Sequence, residues 1–169
     1  MLDNDQARGQ VAALIDPVAK FLLKLKLSAN AVTWIGAIST CAVSIYFIPR
    51  GEFLAAGIWY GILASSDLLD GTMARISGTT GRWGAFLDST LDRFVDATVV
   101  SAMTYYCMTH EEPTWTVVAG FVAIASAQIT SYIRAKAESI GLECKVGLAE
   151  RSERSITAWL ALLITGFGL

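Results

Sequence analysis

Apolar residues come in long blocks along this chain, and charge is confined to the gaps between blocks and to a few specified positions. Residues 29–49 carry no charged side chain over 21 positions. As a helix that run is about 32 Å long, against a hydrocarbon core of about 30 Å, so a first membrane span is predicted there. Pro49-Arg50-Gly51 ends it. The pattern then predicts a second helix from Glu52 to Arg75, a polar turn over Ser77-Gly78-Thr79-Thr80-Gly81-Arg82 and a third helix from Trp83 to Thr109. After His110-Glu111-Glu112-Pro113, a fourth span runs into Arg134-Ala135-Lys136-Ala137-Glu138, and a fifth starts near Glu153, beyond a polar connection from Gly141 to Arg151. Ahead of the first span, Val11, Leu14, Ile15, Val18, Phe21, Leu22 and Leu25 recur with helical period while Lys20, Lys24 and Lys26 take other positions. That is the pattern of an amphipathic helix lying in the membrane interface.

Composition supports the same picture. A chain of 169 residues that is 54% hydrophobic and 17% charged has more apolar surface than a soluble domain of that size can bury. The expected fold is all-α: a polytopic membrane helical bundle with five visible transmembrane helices, comprising an N-terminal interfacial segment (1–28) and a transmembrane domain (29–169). The start, MLDNDQARGQ, is acidic and polar, so no cleavable signal peptide is expected. Cys41, Cys107 and Cys144 lack the spacing of a zinc knot or redox pair and read as reduced, the first two as small apolar filler within apolar runs.

The net charge of −2 conceals a sorted distribution. Assigning loops alternately to two sides gathers twelve cations on one side and leaves Arg50 alone on the other. The positive-inside rule then orients a multi-pass protein of the cell membrane with its N-terminus and the aspartates described next on the cytoplasmic side. The acidic turn at 110–112 faces outward, with Trp115 in an aromatic belt. No nucleic-acid partner is expected.

The most specific feature is Asp67-x-x-Asp70-Gly71-x-x-Ala74-Arg75, eight residues, then Gly84-x-x-x-Asp88-x-x-x-Asp92. An ionised aspartate near hydrocarbon is costly, so several together point to a polar cavity, a proton path or a metal site. Spacings of three and four place each pair on one helix face about one turn apart. With eight specified positions, a chance match at one start point is on the order of one in ten billion. Hard oxygen donors in this number suit Mg²⁺ or Mn²⁺, and four carboxylates against two such ions roughly neutralise one another.

The run DLLDGTMARISGTTGRWGAFLDSTLD resembles the signature of the CDP-alcohol phosphotransferases. These integral membrane enzymes move a phosphatidyl group from CDP-diacylglycerol, or a related CDP-alcohol, to an acceptor hydroxyl. The resemblance implies that Asp67, Asp70 and Asp88 bind metal and that Asp92 is the general base, with Asp92 also counted among the metal ligands. It assigns Gly71, Ala74, Arg75 and Gly84 to the CDP-binding surface. Gly71 lets a nucleotide approach the backbone, helix packing being the alternative, and Arg75 offers a planar donor array for phosphate. Asp96 extends the four-residue rhythm outside the signature and reads as a partner for a nearby cation. Gly57-x-x-x-Gly61 reads as close helix contact within one subunit. Where several family members have Thr-Pro-Asn before the first span, this chain has Ser28-Ala29-Asn30.

A second cationic set, Arg134, Lys136, Lys145, Arg151 and Arg154, suggests a phosphorylated acceptor, with anchoring to anionic lipid as the alternative. The strings Ser131-Tyr132-Ile133-Arg134-Ala135-Lys136-Ala137-Glu138 and Glu150-Arg151-Ser152-Glu153-Arg154 resemble the actinobacterial branch of the family that uses inositol 1-phosphate. That implies acceptor-phosphate contacts by Arg134, Arg151, Arg154 and Lys136, with phosphatidylinositol phosphate and CMP as products. The alternatives are phosphatidylglycerophosphate synthesis from glycerol 3-phosphate and, from other classes, a divalent-cation transporter or a lipid-binding scaffold. The family also implies a homodimer and a sixth helix beyond Leu169.

Overall fold

The computed structural model describes residues 15–142 and 151–168, the first two of the latter stretch by backbone alone, and all regular structure among them is helical. The helices are α1 (residues 15–24), α2 (Ala29–Phe47), α3 (Phe53–Ala64), α4 (Ser66–Ser77), α5 (Arg82–Thr109), α6 (Thr114–Ser139) and α7 (Arg151–Gly166), with a 3-10 turn at Ile48–Arg50. Val11, Leu14, Cys144, Lys145, Glu150 and the Arg151 side chain lie outside the described residues.

The expected helices are found, with one correction. The predicted second helix is two, α3 and α4, interrupted at Ser65. Its cause is local: the Ser65 hydroxyl donates to the Ile62 carbonyl (2.5 Å) and the Ser66 hydroxyl to Leu63 (2.7 Å). Adjacent serines bonding back to the preceding turn compete with the helix ladder and bend it. Two helical stretches, Ala29–Arg50 and Thr114–Ser139, are long and apolar enough to cross a membrane. The split shortens α3 and α4 to 12 residues each, and acidic and basic side chains interrupt α5.

The chain divides into two compact units. The first comprises residues up to Ser39 together with Ile62–Leu91. Ala19, Ala29, Val32 and Met73 form its buried core, with Leu22, Leu23, Leu27, Leu69 and Ala74 packed around them. On α1, Val18 and Phe21 stay exposed, as does Leu25 just beyond it, so these three leave the unit's core and form an outward apolar stripe. Ser28 starts α2 without a proline: its hydroxyl accepts from the Ala31 N–H at 3.2 Å, an N-cap contact. Gly78 ends α4 at φ 66°, a left-handed conformation that glycine adopts without a Cβ penalty. The Thr79 N–H closes that cap on the Ala74 carbonyl at 3.0 Å.

The second unit comprises Thr40–Gly61 and the chain from Asp92 onward. Its core is Ile48, Ala56, Tyr60, Val99, Ala102 and Leu162. Small residues let helices approach closely here. A Cβ on Gly57 would lie 2.8 Å from Leu163 Cδ2, and one on Gly61 2.9 Å from Trp159 Nε1. The Gly57-x-x-x-Gly61 motif thus seats α3 against α7 within one chain, as expected. The Trp159 indole donates to the Gly57 carbonyl at 2.9 Å. Gly120 of α6 meets Thr104 of α5 in the same way, its Cβ position 2.9 Å from Thr104 Cγ2.

At Gly166 a Cβ would lie 2.6 Å from the Leu54 Cα, which is backbone and cannot rotate away. Gly166→Ala should therefore destabilise the detergent-solubilised protein by about 1–3 kcal/mol, the usual range for overpacking. Gly57→Ala, which meets the movable end of a leucine, should lower the thermal unfolding midpoint less. Equal midpoints for the two variants would show that the α3–α7 contact yields freely.

Candidate metal centre

The turn around Gly78 folds the start of α5 back toward α4, and this brings the carboxylates of the motif together. One carboxylate oxygen each from Asp67, Asp70 and Asp88 lie within 4.8 Å of one another. Asp67 is exposed, Asp88 half-buried and Asp70 buried at 8% exposure. Asp67 sits in the first turn of α4, where unsatisfied N–H groups favour a negative charge. Asp70, one turn on, faces α2, and the Thr33 hydroxyl donates to its Oδ2 at 2.5 Å.

At separations up to 4.8 Å, two unit charges repel by roughly 3–4 kcal/mol or more at an effective dielectric constant of about 20. A cation among the three aspartates would offset that repulsion. The donors are all hard oxygens, a set that fits Mg²⁺ or Mn²⁺ and not a thiolate-preferring metal. The fourth aspartate of the motif, Asp92, follows Asp88 by four residues on the same continuous helix and belongs to the second unit.

The proposed nucleotide positions differ among themselves. Gly71 is exposed, and a Cβ built on it meets nothing within 4 Å. Helix packing therefore does not account for that glycine in the described structure. Arg75 is exposed one turn beyond it and donates to the Thr72 hydroxyl at 2.8 Å. Gly84 stands in ordinary contact range of Asn30, 3.7 Å from its Oδ1 to the Cβ position. Ala74 packs against the first unit's core, which supplies a structural reason for its small size.

Of the cationic set, Arg134, Lys136 and Arg154 lie in the second unit. Arg134 and Lys136 are exposed on the last turns of α6, where Arg134 pairs with Glu138 at 3.1 Å. Arg154 of α7 pairs with Asp96 of α5 at 3.6 Å, so Asp96 has the cationic partner expected for it. Both line a cavity of about 610 Å³ whose walls include Val99, Ala127 and Ala158. Arg151 begins α7. Thr33 is the residue that sequence reasoning missed: one hydroxyl within an uncharged span, with no local signal separating it from Thr40 or Ser44.

Two aspartate-bearing turns thus return to one metal-compatible cluster, with an open glycine between them. Residues 26–166 match the family model of the CDP-alcohol phosphatidyltransferases, and the chain belongs to that family of enzymes. The transporter and scaffold alternatives fall away with that membership. Among its relatives, phosphatidylinositol phosphate synthase from Cutibacterium acnes is 41% identical over 157 residues, covering 92% of this chain and 75% of the relative. The enzyme of that name from Corynebacterium glutamicum is 35% identical over 163 residues, covering 96% and 74%. The crystal structure of Mycobacterium tuberculosis phosphatidylinositol phosphate synthase with CDP-DAG bound superposes with a TM-score of 0.89 at 32% identity, covering 92% of this chain and 78% of that one. A second structure of that enzyme, in complex with manganese and citrate, superposes with a TM-score of 0.86.

If the carboxylates form the metal centre, Mn²⁺ should raise the unfolding temperature of the native protein, by about 2.7 kcal/mol of added stability at a hundred times its dissociation constant. Asp70→Asn should remove a negative charge from the cluster and lose that protection, while melting no lower than the native protein in EDTA. A variant still protected by Mn²⁺ to the native extent would take Asp70 out of the centre.

Proposed function

We propose that this protein transfers the phosphatidyl group of CDP-diacylglycerol to inositol 1-phosphate, releasing CMP and giving phosphatidylinositol phosphate. The observation that carries this reading is the convergence of Asp67, Asp70 and Asp88 beside the open backbone at Gly71. Family membership and the names of the relatives support the substrate pair. In this reading Asp67, Asp70 and Asp88 hold the divalent ions, with Asp92 as a further ligand. Bound there, the ions offset the charge of the CDP-diacylglycerol diphosphate.

Gly71 and Gly84 leave room for the nucleotide, and Arg75 donates to phosphate oxygen. Arg134, Lys136, Arg151 and Arg154 receive the acceptor's phosphate and exclude an uncharged alcohol. Asp92 takes the proton from the attacking ring hydroxyl. The hydroxyl oxygen bonds to the phosphorus that carries diacylglycerol, and the bond from that phosphorus to the bridging oxygen breaks with its electron pair leaving on CMP. Asp92's position four residues beyond Asp88 on α5 supports a role beside the reacting centre.

We place the protein in the cell membrane as a multi-pass homodimer, with residues 1–28 on the interface and the carboxylates at the cytoplasmic side. The exposed stripe of Val18, Phe21 and Leu25 and the sorting of the cations support the membrane placement, and the homodimer rests on the family resemblance alone.

Purified protein given CDP-diacylglycerol and Mn²⁺ should release CMP with inositol 1-phosphate and not with free inositol. Release only with glycerol 3-phosphate would replace the acceptor and keep the metal chemistry. Asp92→Asn should lower turnover by about 10²–10⁴-fold, the usual contribution of a general base. A smaller loss would assign the proton to another group.

A further inference from the structure

The acidic motif assigns the metal centre to α4 and α5, yet α2 supplies a polar group to the same cluster. Thr33 lies in the uncharged part of α2, and its hydroxyl reaches Asp70 Oδ2 at 2.5 Å across 37 residues of sequence. The same oxygen lies 3.1 Å from the Ala29 carbonyl one turn back. One hydroxyl hydrogen cannot serve both acceptors fully, and the shorter contact is the one to the carboxylate.

The approach of α2 to α4 is close by construction. One turn from Thr33, Gly36 faces Ser66, where a Cβ would lie 3.1 Å from the Ser66 Cβ. At the other end, Ala29 and Val32 are buried with Met73. The contacts 36 to 66 and 33 to 70 run in opposite directions along the two helices, so α2 and α4 pack antiparallel, with Thr33 between the Gly36 contact and the buried cluster of Ala29, Val32 and Met73. Asp70 is the most buried of the three clustered aspartates. The Thr33 hydroxyl thus restrains one oxygen of a carboxylate that is largely withdrawn from water.

We propose that Thr33 is a positioning residue of the metal centre: its hydroxyl orients the Asp70 carboxylate so that Asp67, Asp70 and Asp88 present a preformed set of oxygens to a divalent cation. This rests on the metal reading above and deepens it by adding α2 to the site. Outer-shell hydrogen bonds of this kind commonly change metal affinity by about 10–100-fold when removed.

The test is Mn²⁺ binding to the full chain in detergent, read from the free-ion electron paramagnetic resonance signal with no lipid substrate present. Thr33→Val keeps the branched shape and removes the donor; it should weaken Mn²⁺ binding by about tenfold or more. Thr33→Ser keeps the donor and should bind within about threefold of native, a difference smaller than that outer-shell effect. Thermal unfolding in EDTA monitors the fold of each. If Thr33→Val does not fold, Thr33→Ala replaces it in the comparison with serine.

Native affinity in the folded donor-less variant would overturn the proposal and leave the metal centre intact. Equal weakening in the serine and the donor-less variants would also overturn it, because packing and not the hydroxyl would then be responsible. Failure of the native protein to bind Mn²⁺ would overturn the metal reading and this one with it.

Discussion

Three carboxylates whose oxygens lie within 4.8 Å of one another repel, and the packing of the first unit holds the helices that carry them together. Its core of Ala19, Ala29, Val32 and Met73 fixes α4 against α1 and α2. The left-handed glycine at 78 turns the chain back so that α5 begins beside the helix that has just ended. Neither device involves an aspartate. Burial of apolar surface stabilises the scaffold, the scaffold sets the carboxylates, and the electrostatic strain of that arrangement is what a divalent cation relieves on binding. Affinity for metal is in this sense a property of the packing behind the site as much as of the ligands in front of it.

Glycine serves two opposite ends in the same chain. At Gly36, Gly57, Gly61, Gly120 and Gly166 the missing side chain is filled by a neighbour, and removing the Cβ lets helices with few large buried residues approach to backbone distance. At Gly71 no atom fills the space. A mid-helix glycine costs about 0.5–1 kcal/mol relative to alanine, and among the described residues no packing contact uses the space at Gly71. That open backbone suits the nucleotide approach proposed above.

Much of this was legible in the sequence. The helices and their turns could be read from the charge-free blocks and the Pro-Gly punctuation, because membrane-compatible segments must be apolar over a fixed length. The carboxylate cluster could be read because three- and four-residue spacings leave few geometries. What escaped depended on atoms far apart in the chain. The break at Ser65 turns on hydroxyl hydrogen bonds to Ile62 and Leu63, and a Ser-Ser pair in an apolar run gives no sign of which way its hydroxyls will turn. Thr33 has a partner 37 residues away and no local pattern at all. For Gly71 the sequence left helix packing open as an alternative, and only the structure shows that, unlike Gly57, it has no neighbour within 4 Å of a built Cβ. Asp96 was an intermediate case: a cationic partner was expected because it continues the four-residue rhythm outside the signature, but the identity of Arg154 required the fold.

Two arginine pairs of the second unit, Arg134–Glu138 and Arg154–Asp96, differ in a way that matters for an acceptor phosphate. Arg134 and Glu138 are one turn apart on α6, with side chains 51% and 57% exposed. Surface pairs of this kind contribute about 0–1 kcal/mol, so a phosphate dianion can displace Glu138 at little expense. Arg154 and Asp96 come from different helices and are 23% and 12% exposed. Separating that pair would leave a charge in a poorly solvated place, a far larger penalty. Arg154 is therefore held where it is, at the edge of the cavity it shares with Asp96, while Arg134 remains able to exchange partners. If both serve the acceptor as proposed, the chemistry divides the work: an exposed guanidinium that captures the phosphate, and an enclosed one whose direction is already set when the phosphate arrives.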